Sequence, residues 1–483
     1  LNGLGSIPKP NPDKEYSFPL ASIHAFLTVG KDLIFSKDKM TEFQKNLFND
    51  LKSKGIPKDI YKRSIQYGDQ VASHIKDWYS SDNYRETRSY PKFTVQRDKE
   101  DTWKPTPPDY MDGIEPHWSK IRPFLLNSPE QFQPEPPPPF SMEPESPFYK
   151  ELLEVYQVVQ EIQKNEQQDE REEIAKFWDC NPYVSTHKGH VMFALKKISP
   201  GAHWMGITKI VARNSKADYN TTVAAYTHTA IAIADAFISC WDEKYRSNLI
   251  RPETIINKVL DEDWYPILQT PPFPEYTSGH SVVSGAASVI LTNFFGDNVA
   301  FDDDTELPYD LPIRSYQSFN HAAEEAAISR MYGGIHYRKA IEEGLKQGRN
   351  VGNFIIEKLN LKENVNLVGP KHGEELKHFY KTSNYFIQIS TYEGMPHSVL
   401  EAMNYKLIVI ASKFGGNYEL IGNNEFGYIV KSLEKKHITE SIKNAIDNRR
   451  NQTIASKAKN LVNQEYNIEL TTEKYAEVIF KNE

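Results

Sequence analysis

The sequence predicts a mainly α-helical protein that continues into a smaller, partial α/β segment. Within residues 1–360, apolar side chains recur at three- and four-residue steps, as in helices that bury one face against a core. After residue 361, short runs rich in Val and Ile alternate with helical stretches, which is the pattern of a parallel sheet with crossover helices. We therefore predict two domains, 1–360 and 361–483.

The individual elements follow from these periodicities. In the first domain the predicted helical stretches are 20–78 (with a break at 55–57), 147–178, 220–241, 279–295, 322–331 and 337–359. Residues 80–147 are predicted to be mainly loop, because proline runs such as 134–139 favour extended backbone. In the second domain the predicted strands are 365–368, 385–389 and 407–411, and the predicted helices lie near 374–382, 398–404 and 438–448.

The charge distribution argues against nucleic-acid binding. The chain of 483 residues carries a formal net charge of -8. Residues 1–360 contain 41 Lys and Arg against 50 Asp and Glu, and residues 361–483 contain 16 against 15. Neither domain therefore offers the basic surface that binding to a phosphate backbone requires.

Composition also predicts no transmembrane segment, and it favours two free cysteines over one disulfide bridge between them. The most apolar run, 224–241, includes His228 and Asp235, so it is predicted to be a helix of the bundle core. Cys180 and Cys240 have no metal-ligand spacing and are expected to be two buried free thiols. Position 1 is Leu, as in a chain that has lost a signal peptide or has been truncated.

Three short blocks between residues 244 and 336 predict a site for a tetrahedral oxyanion. The first block contains Lys244 and Arg251, which lie two helical turns apart and share a face if that segment is helical. Pro252 disfavours helical geometry at Arg251 and is expected to turn its side chain into the site. Positive groups concentrated in a net acidic chain favour a dedicated anion site over background basicity.

The second and third blocks add two histidines and further oxyanion-binding groups. Ser278-Gly279-His280 lies at the start of a predicted helix, where free N–H groups and the positive helix end favour an anion. Arg330 ends one helix and His336 opens the next after a Gly-Gly bend, which brings both to one place. A guanidinium matches the geometry of oxyanions, and a neutral imidazole serves as nucleophile or metal ligand.

These blocks resemble the signature of the vanadium-dependent haloperoxidase and type 2 phosphatidic acid phosphatase superfamily. The surrounding residues are similar to the bacterial haloperoxidase branch, as in Pro271-Pro-Phe-Pro-Glu-Tyr-Thr-Ser-Gly-His280 and Tyr332-Gly-Gly-Ile-His-Tyr-Arg338, and the resemblance covers about residues 15–360. It implies a helical bundle of the haloperoxidase and acid phosphatase type with vanadate as cofactor.

The resemblance also implies a role for each matching residue. His336 is expected to be the vanadate ligand and His280 the acid–base residue. The groups expected to bind the equatorial oxygens are Lys244, Arg251, Ser278, Arg330 and the Gly279 amide.

One position departs from the superfamily pattern. Many members have Asp four residues after the last histidine to orient its ring, whereas this chain has Ala340. Because a ligand histidine needs a partner on its other nitrogen, another group must serve. The candidates are Asp235, Asp242, Glu342 and a backbone carbonyl, and the sequence does not choose among them.

The second domain resembles family 4 glycosyltransferases of the GT-B fold. The stretch from Ser390 to Met403 contains Glu393 and Glu401, which match the paired glutamates that bind sugar and ribose hydroxyls in that family. Gly394 is expected to expose backbone amides near the donor phosphates. Only the later part of a Rossmann-like donor domain is present, so we expect a nucleotide-sugar-binding remnant or a chimeric fusion rather than an autonomous transferase.

Three functions remain open from sequence alone. The leading hypothesis is a haloperoxidase that acts on hydrogen peroxide, halide and a small organic substrate, with bromide or iodide favoured over chloride. The same residues serve a phosphomonoesterase, in which His336 attacks phosphorus and His280 protonates the leaving oxygen. The third hypothesis is nucleotide-sugar binding by residues 361–483. An extracytoplasmic or periplasmic location is expected over a cytoplasmic one, and a homo-oligomer is left open.

Overall fold

The computed structural model describes residues 1–165, 167, 169–181, 184–188, 191–194, 197–359, 371–391, 394–448, 451–467 and 472. Within this description the chain forms two compact units, Leu1–Leu361 and Lys362–Glu483. The predicted strand at 365–368 and the predicted sugar-binding residue Glu393 lie outside the described residues.

Helices dominate the first unit, and two short antiparallel strand pairs accompany them. The helices are α1 (Phe18–Leu33), α2 (Lys37–Ser53), α3 (Lys58–Tyr79), α4 (Tyr84–Thr87), α5 (Pro147–Lys164), α6 (Glu170–Phe177), α7 (Pro200–Asn214), α8 (Tyr219–Ser247), α9 (Pro252–Val259), α10 (Gly279–Phe295), α11 (Phe319–Tyr332) and α12 (Arg338–Leu359). β1 (Ser185–Lys188) pairs with β2 (Val191–Ala194), and β3 (Phe301–Asp303) pairs with β4 (Arg314–Tyr316).

The predicted single helix over 147–178 is wrong. The segment forms α5 and α6 with a break between them, because Asn165 has extended backbone at φ -74° and ψ 110°. Asp169 then caps α6, since its side chain accepts a hydrogen bond from the Arg171 amide. The break predicted near residue 55 is confirmed, and a second break follows α1.

Close contact between α10 and α12 forms the centre of the first unit. A Cβ atom at Gly348 of α12 would lie 2.0 Å from the Val282 carbonyl oxygen of α10, and one at Gly285 would lie 2.6 Å from the Leu345 oxygen. Glycine at these positions lets the two backbones approach. α8 and α11 pack against the same pair, so the predicted bundle-core helix at 220–241 is confirmed.

α8 is also the one described helix that is long and apolar enough to cross a membrane. By length and composition it passes that test, but 56% of its most apolar window is buried inside the protein. Its apolar residues Ile231, Ala232 and Ala236 pack in a core cluster with α10 and α12. This burial is typical of the core helix of a bundle.

The second unit contains a three-stranded parallel sheet. Its elements are α13 (Gly373–Thr382), β5 (Tyr385–Gln388), α14 (His397–Asn404), β6 (Ile408–Ser412), α15 (Gly416–Ile421), β7 (Tyr428–Val430), α16 (Lys435–Asp447) and α17 (Asn451–Glu465). The strand order is β5-β6-β7, with Tyr385 opposite Ile408 and Ile410 opposite Tyr428. Every residue of β6 is buried, as expected for a central strand covered on both faces.

Candidate active site

The first predicted block is divided between two helices. Lys244 lies in the last turn of α8, which ends in the left-handed residue Asn248, at φ 48°. Arg251 is the N-cap residue of α9 and has extended backbone at φ -78° and ψ 150°, as the following proline favours. The segment from Lys244 to Arg251 is therefore not one helix, so the condition for the two cations to share a helix face is not met, although both side chains are fully buried.

Arg251 and Glu275 hold the two ring nitrogens of His336. Nη1 of Arg251 lies 3.1 Å from Nε2 of His336, and also donates to the Ile335 carbonyl at 2.8 Å. On the other side of the ring, Nδ1 of His336 lies 2.7 Å from Oε1 of Glu275. The same carboxyl oxygen accepts the Tyr337 amide at 3.0 Å. Nδ1–H therefore donates to Glu275, and Nε2 keeps its lone pair.

Glu275 is the partner that the sequence did not identify, and the three predicted carboxylates are wrong. Asp235 accepts the backbone amides of residues 124–126, at 2.7 to 3.1 Å. Asp242 pairs with Arg246, and Glu342 lies 3.8 Å from Arg338. The sequence feature that could have identified Glu275 is its place in the chain, because it is the one carboxylate in the block 271–280 that ends at His280.

Ser278 fixes the start of α10 beside His280. Its hydroxyl oxygen accepts the Ser281 amide at 3.3 Å, so the predicted N-cap is confirmed. Its own amide donates to the carbonyl of Ala340 at 3.1 Å, which joins the start of α10 to the first turn of α12. Gly279 and His280 then line a cavity at the positive end of α10.

Arg330 is positioned by the segment that follows α6. Its Nη1 donates to the Trp178 carbonyl at 2.8 Å, and its Nη2 lies 3.8 Å from Oδ1 of Asp179. The ring of His280 also hydrogen-bonds the Trp178 backbone. One backbone group therefore links two predicted site residues, and nothing in the local sequence of residues 178–179 signals this role.

Lys244 is bound to backbone carbonyls rather than standing open to the cavity. Its Nζ donates to the carbonyl oxygens of Pro274, at 3.1 Å, Glu275, at 3.0 Å, and Thr277, at 2.5 Å. These contacts use its three N–H donors. The ammonium thus shapes the turn that presents Glu275 and Ser278, and its predicted contact with an equatorial oxygen stays a prediction.

These blocks surround a cavity of about 250 Å³. Gly279, His280, Arg330 and His336 line it, together with Cys180. The remaining walls are mostly apolar and include Trp118, Phe237, Trp241, Pro271, Phe273 and Ile335. Such a cavity suits a small polar or ionic guest held at one end and a small apolar molecule at the other.

Burial shifts the pKa values of the site residues so that the neutral form of each is favoured. Burial, with the charges of Arg251 and Lys244 nearby, holds the pKa of His336 well below its usual range. Burial and Arg330 do the same to the pKa of His280. Burial lowers the pKa of Lys244 to about 7 and raises the pKa of Glu275 to about 8. Both imidazoles are therefore neutral near pH 7, and the cavity favours a guest that brings negative charge.

Three buried side-chain nitrogen atoms in the site, two of them guanidinium donors, fit such a guest. Among the described residues, Nη2 of Arg251, Nε of Arg330 and Nε2 of His280 are buried and have no hydrogen-bond partner. Buried polar groups are nearly always satisfied, so unmatched nitrogen atoms on two residues that line the cavity, His280 and Arg330, and on Arg251, which contacts His336, favour a polar ligand there. An oxyanion such as vanadate would supply acceptors to the two guanidinium groups, and Nε2 of His336 would hold it.

Fold and site together define a helical-bundle protein with a buried histidine-based oxyanion site. The chain belongs to the vanadium-dependent haloperoxidases, a family of enzymes. A solved structure described as a bacterial vanadium-dependent iodoperoxidase is 58% identical, with a TM-score of 0.70, and the match covers 74% of this chain and 84% of that chain. A family model described as the VCPO second helical-bundle domain matches residues 224–363.

More distant relatives agree with this assignment. A holo-type bacterial vanadium-dependent chloroperoxidase is 17% identical, with a TM-score of 0.52, over 70% of this chain and 81% of that chain, which supports the fold. Vanadium-dependent bromoperoxidases of Corallina pilulifera and Corallina officinalis are each 33% identical over 102 residues, or 19% of this chain. That match spans 17% of the length of the two bromoperoxidases.

The second unit is similar to a different family, the glycosyltransferases. A family model described as glycosyl transferases group 1 matches residues 344–466. A sucrose synthase of Melioribacter roseus is 32% identical over 93 residues, which are 18% of this chain and 12% of that protein. The predicted similarity of residues 361–483 to glycosyltransferases is therefore confirmed at the level of family.

Two of the three predicted sugar-site residues lie within the described part of the second unit. A Cβ atom at Gly416 would lie 2.0 Å from the Gly394 carbonyl oxygen, so the loop before α14 contacts the start of α15 closely. Glu401 lies on α14, and its side chain hydrogen-bonds Tyr380.

Proposed function

We propose that the chain is a vanadate-dependent haloperoxidase that uses hydrogen peroxide to oxidise iodide. The observation that carries the proposal is the neutral His336 ring, held by Glu275 on Nδ1 and flanked at Nε2 by the Arg251 guanidinium. The 58% identity to a protein described as an iodoperoxidase supports iodide as the halide.

Each residue has a specific task in this proposal. His336 would bind vanadate through Nε2, and the unmatched N–H groups of Arg251 and Arg330 would donate to its oxygens. The Gly279 amide lies in the first turn of α10, where backbone N–H groups point away from the helix, and Ser278 fixes that turn. Bound vanadate is a Lewis acid that makes peroxide susceptible to attack by halide.

His280 is the acid–base group of the proposal. Burial beside Arg330 keeps its pKa low, so Nε2 is unprotonated or carries the single proton of a neutral ring. A neutral imidazole accepts a proton from incoming hydrogen peroxide and returns one to a leaving oxygen. The apolar walls formed by Trp118, Phe237 and Trp241 limit water in the cavity and leave room for a small organic acceptor of the oxidised halogen.

The experiment is a reconstitution of the full chain with orthovanadate. We expect iodide oxidation that requires both vanadate and hydrogen peroxide, and we expect His336→Ala to abolish it. Tyr219→Phe, on the exposed start of α8, is the control variant and should retain activity. A folded, vanadate-loaded protein that oxidises no halide contradicts the proposal.

A phosphomonoesterase is the second candidate, and the Glu275 contact favours it. A nucleophilic histidine needs a partner that orients its ring, and the sequence has Ala340 where many superfamily members have Asp. In the structure Glu275 is that partner, at 2.7 Å from Nδ1 of His336. In this alternative Nε2 of His336 attacks phosphorus and His280 protonates the leaving oxygen. Hydrolysis of a chromogenic phosphate ester that vanadate inhibits, with no halide oxidation, would support the phosphatase over the haloperoxidase.

For the second unit we propose binding of a nucleotide sugar, based on the family match to glycosyltransferases. Calorimetric titration of the full chain with UDP-sugars tests it, with Glu401→Ala as the variant and Glu425→Ala as the control. No heat of binding from the intact protein would leave this unit without a nucleotide-sugar site.

A further inference from the structure

Three metal-ligating side chains from separate segments meet beside the oxyanion cavity. Cys180 follows α6, His203 lies in the first turn of α7, and Glu306 follows β3. Sγ of Cys180 is 3.3 Å from Nδ1 of His203 and 3.9 Å from Oε1 of Glu306. Nδ1 of His203 is 3.2 Å from the same Glu306 oxygen. The three donor atoms thus form one compact triangle.

The triangle is buried and its histidine is oriented. Cys180 is 1% exposed, His203 0% and Glu306 4%. Nε2 of His203 lies 2.8 Å from Oδ2 of Asp303, which is itself fully buried. If Nε2–H donates to Asp303, Nδ1 presents a lone pair toward Cys180 and Glu306. A carboxylate on the far nitrogen is the usual support of a metal-bound histidine.

The surroundings fix this arrangement further. The Trp178 ring stacks on His203 with 4.4 Å between ring centroids, which limits rotation of the imidazole. The other oxygen of Asp303 accepts the amide and the hydroxyl of Thr305, at 3.0 and 2.7 Å. The supporting carboxylate is therefore held as firmly as the ligands, as metal sites require.

We propose that Cys180, His203 and Glu306 form a binding site for a divalent transition-metal ion of the zinc class. In a tetrahedral zinc site with bonds of about 2.0–2.3 Å, neighbouring donor atoms lie roughly 3.3–3.6 Å apart. The observed separations of 3.2, 3.3 and 3.9 Å match this requirement with small adjustments. Three protein ligands leave the fourth position of the ion for water.

Charge supports the same conclusion. On binding, the Cys180 thiol releases its proton to solvent, and the thiolate and the Glu306 carboxylate then balance the two positive charges of the ion. No local sequence pattern signals this site, because the ligands are spread from residue 180 to residue 306 and include one cysteine only. The site needs the folded arrangement of α6, α7 and β3.

A metal ion here would also stabilise the oxyanion site. Cys180 lines the same cavity as His280 and Arg330. Two residues before it, the Trp178 carbonyl accepts Nη1 of Arg330. An ion bound to Cys180 would therefore restrict the segment that positions Arg330. The ion proposal itself does not depend on the proposed halide chemistry.

The alternative is a metal-free cluster joined by protons. A protonated His203 would then donate from Nε2 to Asp303 and from Nδ1 to Glu306, with Cys180 as a thiol beside them. This alternative predicts that the protein retains no metal ion, because a proton on Nδ1 of His203 and a proton on the Cys180 thiol occupy the positions that a metal ion would need.

The test measures metal in the full chain. The protein is stripped with a chelator, reloaded with zinc or cobalt, dialysed and analysed by elemental mass spectrometry. We expect one equivalent per chain, and a thiolate-to-cobalt charge-transfer band in the cobalt form. Cys180→Ser should lose the band, whereas Cys240→Ser, at the other buried free thiol, should keep both band and metal.

Two further variants separate ligation from folding. Glu306→Gln should lose the ion, and Asp303→Asn should weaken zinc binding by about 10–100-fold. Circular dichroism checks that each variant folds. If folded wild-type protein keeps no stoichiometric metal, or if Cys180→Ser gives the same cobalt band as wild type, the proposed site does not exist and the cluster is held by protons.

Discussion

Removal of Glu275 should impair the oxyanion site more than any other carboxylate change. In Glu275→Ala, both Nδ1–H of His336 and the Tyr337 amide lose their acceptor, and both groups are buried. A buried donor left without a partner costs about 1–3 kcal/mol, so the two together cost roughly 2–6 kcal/mol of folding stability. The freed ring also exchanges tautomers, which removes the lone pair from Nε2 in part of the molecules.

The expected effect on vanadate binding is a 10–100-fold loss of affinity, as for other partners of metal-bound histidines. The assay is equilibrium titration of the purified variant with orthovanadate, with thermal unfolding measured in parallel. Glu342→Ala is the control, because Glu342 is exposed and was a sequence-based candidate for the same role. Wild-type affinity in Glu275→Ala, or an equal loss in Glu342→Ala, would refute the assignment of Glu275.

Glu275→Gln separates the acceptor from the charge. Burial raises the pKa of Glu275 to about 8, so the neutral acid predominates at pH 6 and glutamine resembles it closely. Vanadate affinity of Glu275→Gln at pH 6 should therefore lie within about threefold of wild type. A loss as large as that of the alanine variant would show that the negative charge, rather than the acceptor, is what His336 requires.

Three further predictions concern stability. The raised pKa of Glu275 contributes stability that is fully present below about pH 4.5 and is lost as pH rises through about 8, so wild type should lose stability relative to Glu275→Gln over that interval in chemical denaturation. Gly348→Ala forces a Cβ to 2.0 Å from the Val282 oxygen and should cost about 1–3 kcal/mol in thermal unfolding, whereas Gly30→Ala, whose nearest atoms are 3.4 Å away, should not. Asp235→Ala leaves three backbone amides without an acceptor and should cost at least about 3 kcal/mol by the same measurement.

Periodicity predicted the buried helices well and the short connections poorly. The helix predicted at 279–295 has those bounds in the structure, because a capping Ser278 and a continuous apolar run mark both its start and its course. α7 has no counterpart among the predicted helices, although Ser199 and Pro200 form a regular start. The split between α5 and α6 combines the extended Asn165 with the Asp169 cap, and the charged residues of this segment conceal both in the sequence.

The predicted site residues differ in how they take part. His280, Arg330 and His336 line one cavity, as the three blocks implied. Lys244 instead donates to three carbonyls of the turn before α10. A sequence block indicates that a cation lies close to the site. It does not show whether backbone carbonyls lie between that cation and the cavity. The conformation of the turn at 274–277 determines this, and residue spacing does not predict that conformation.

The contact of Glu275 with His336 has a physical basis in this turn. Ala340 is fully buried, and its carbonyl accepts the Ser278 amide, so the first turn of α12 lies directly against the start of α10. Glu275 reaches the same histidine from the chain that leads into α10, at 2.7 Å. Alanine at position 340 therefore does not leave Nδ1 of His336 without a partner, because Glu275 supplies the acceptor from a different segment of the chain.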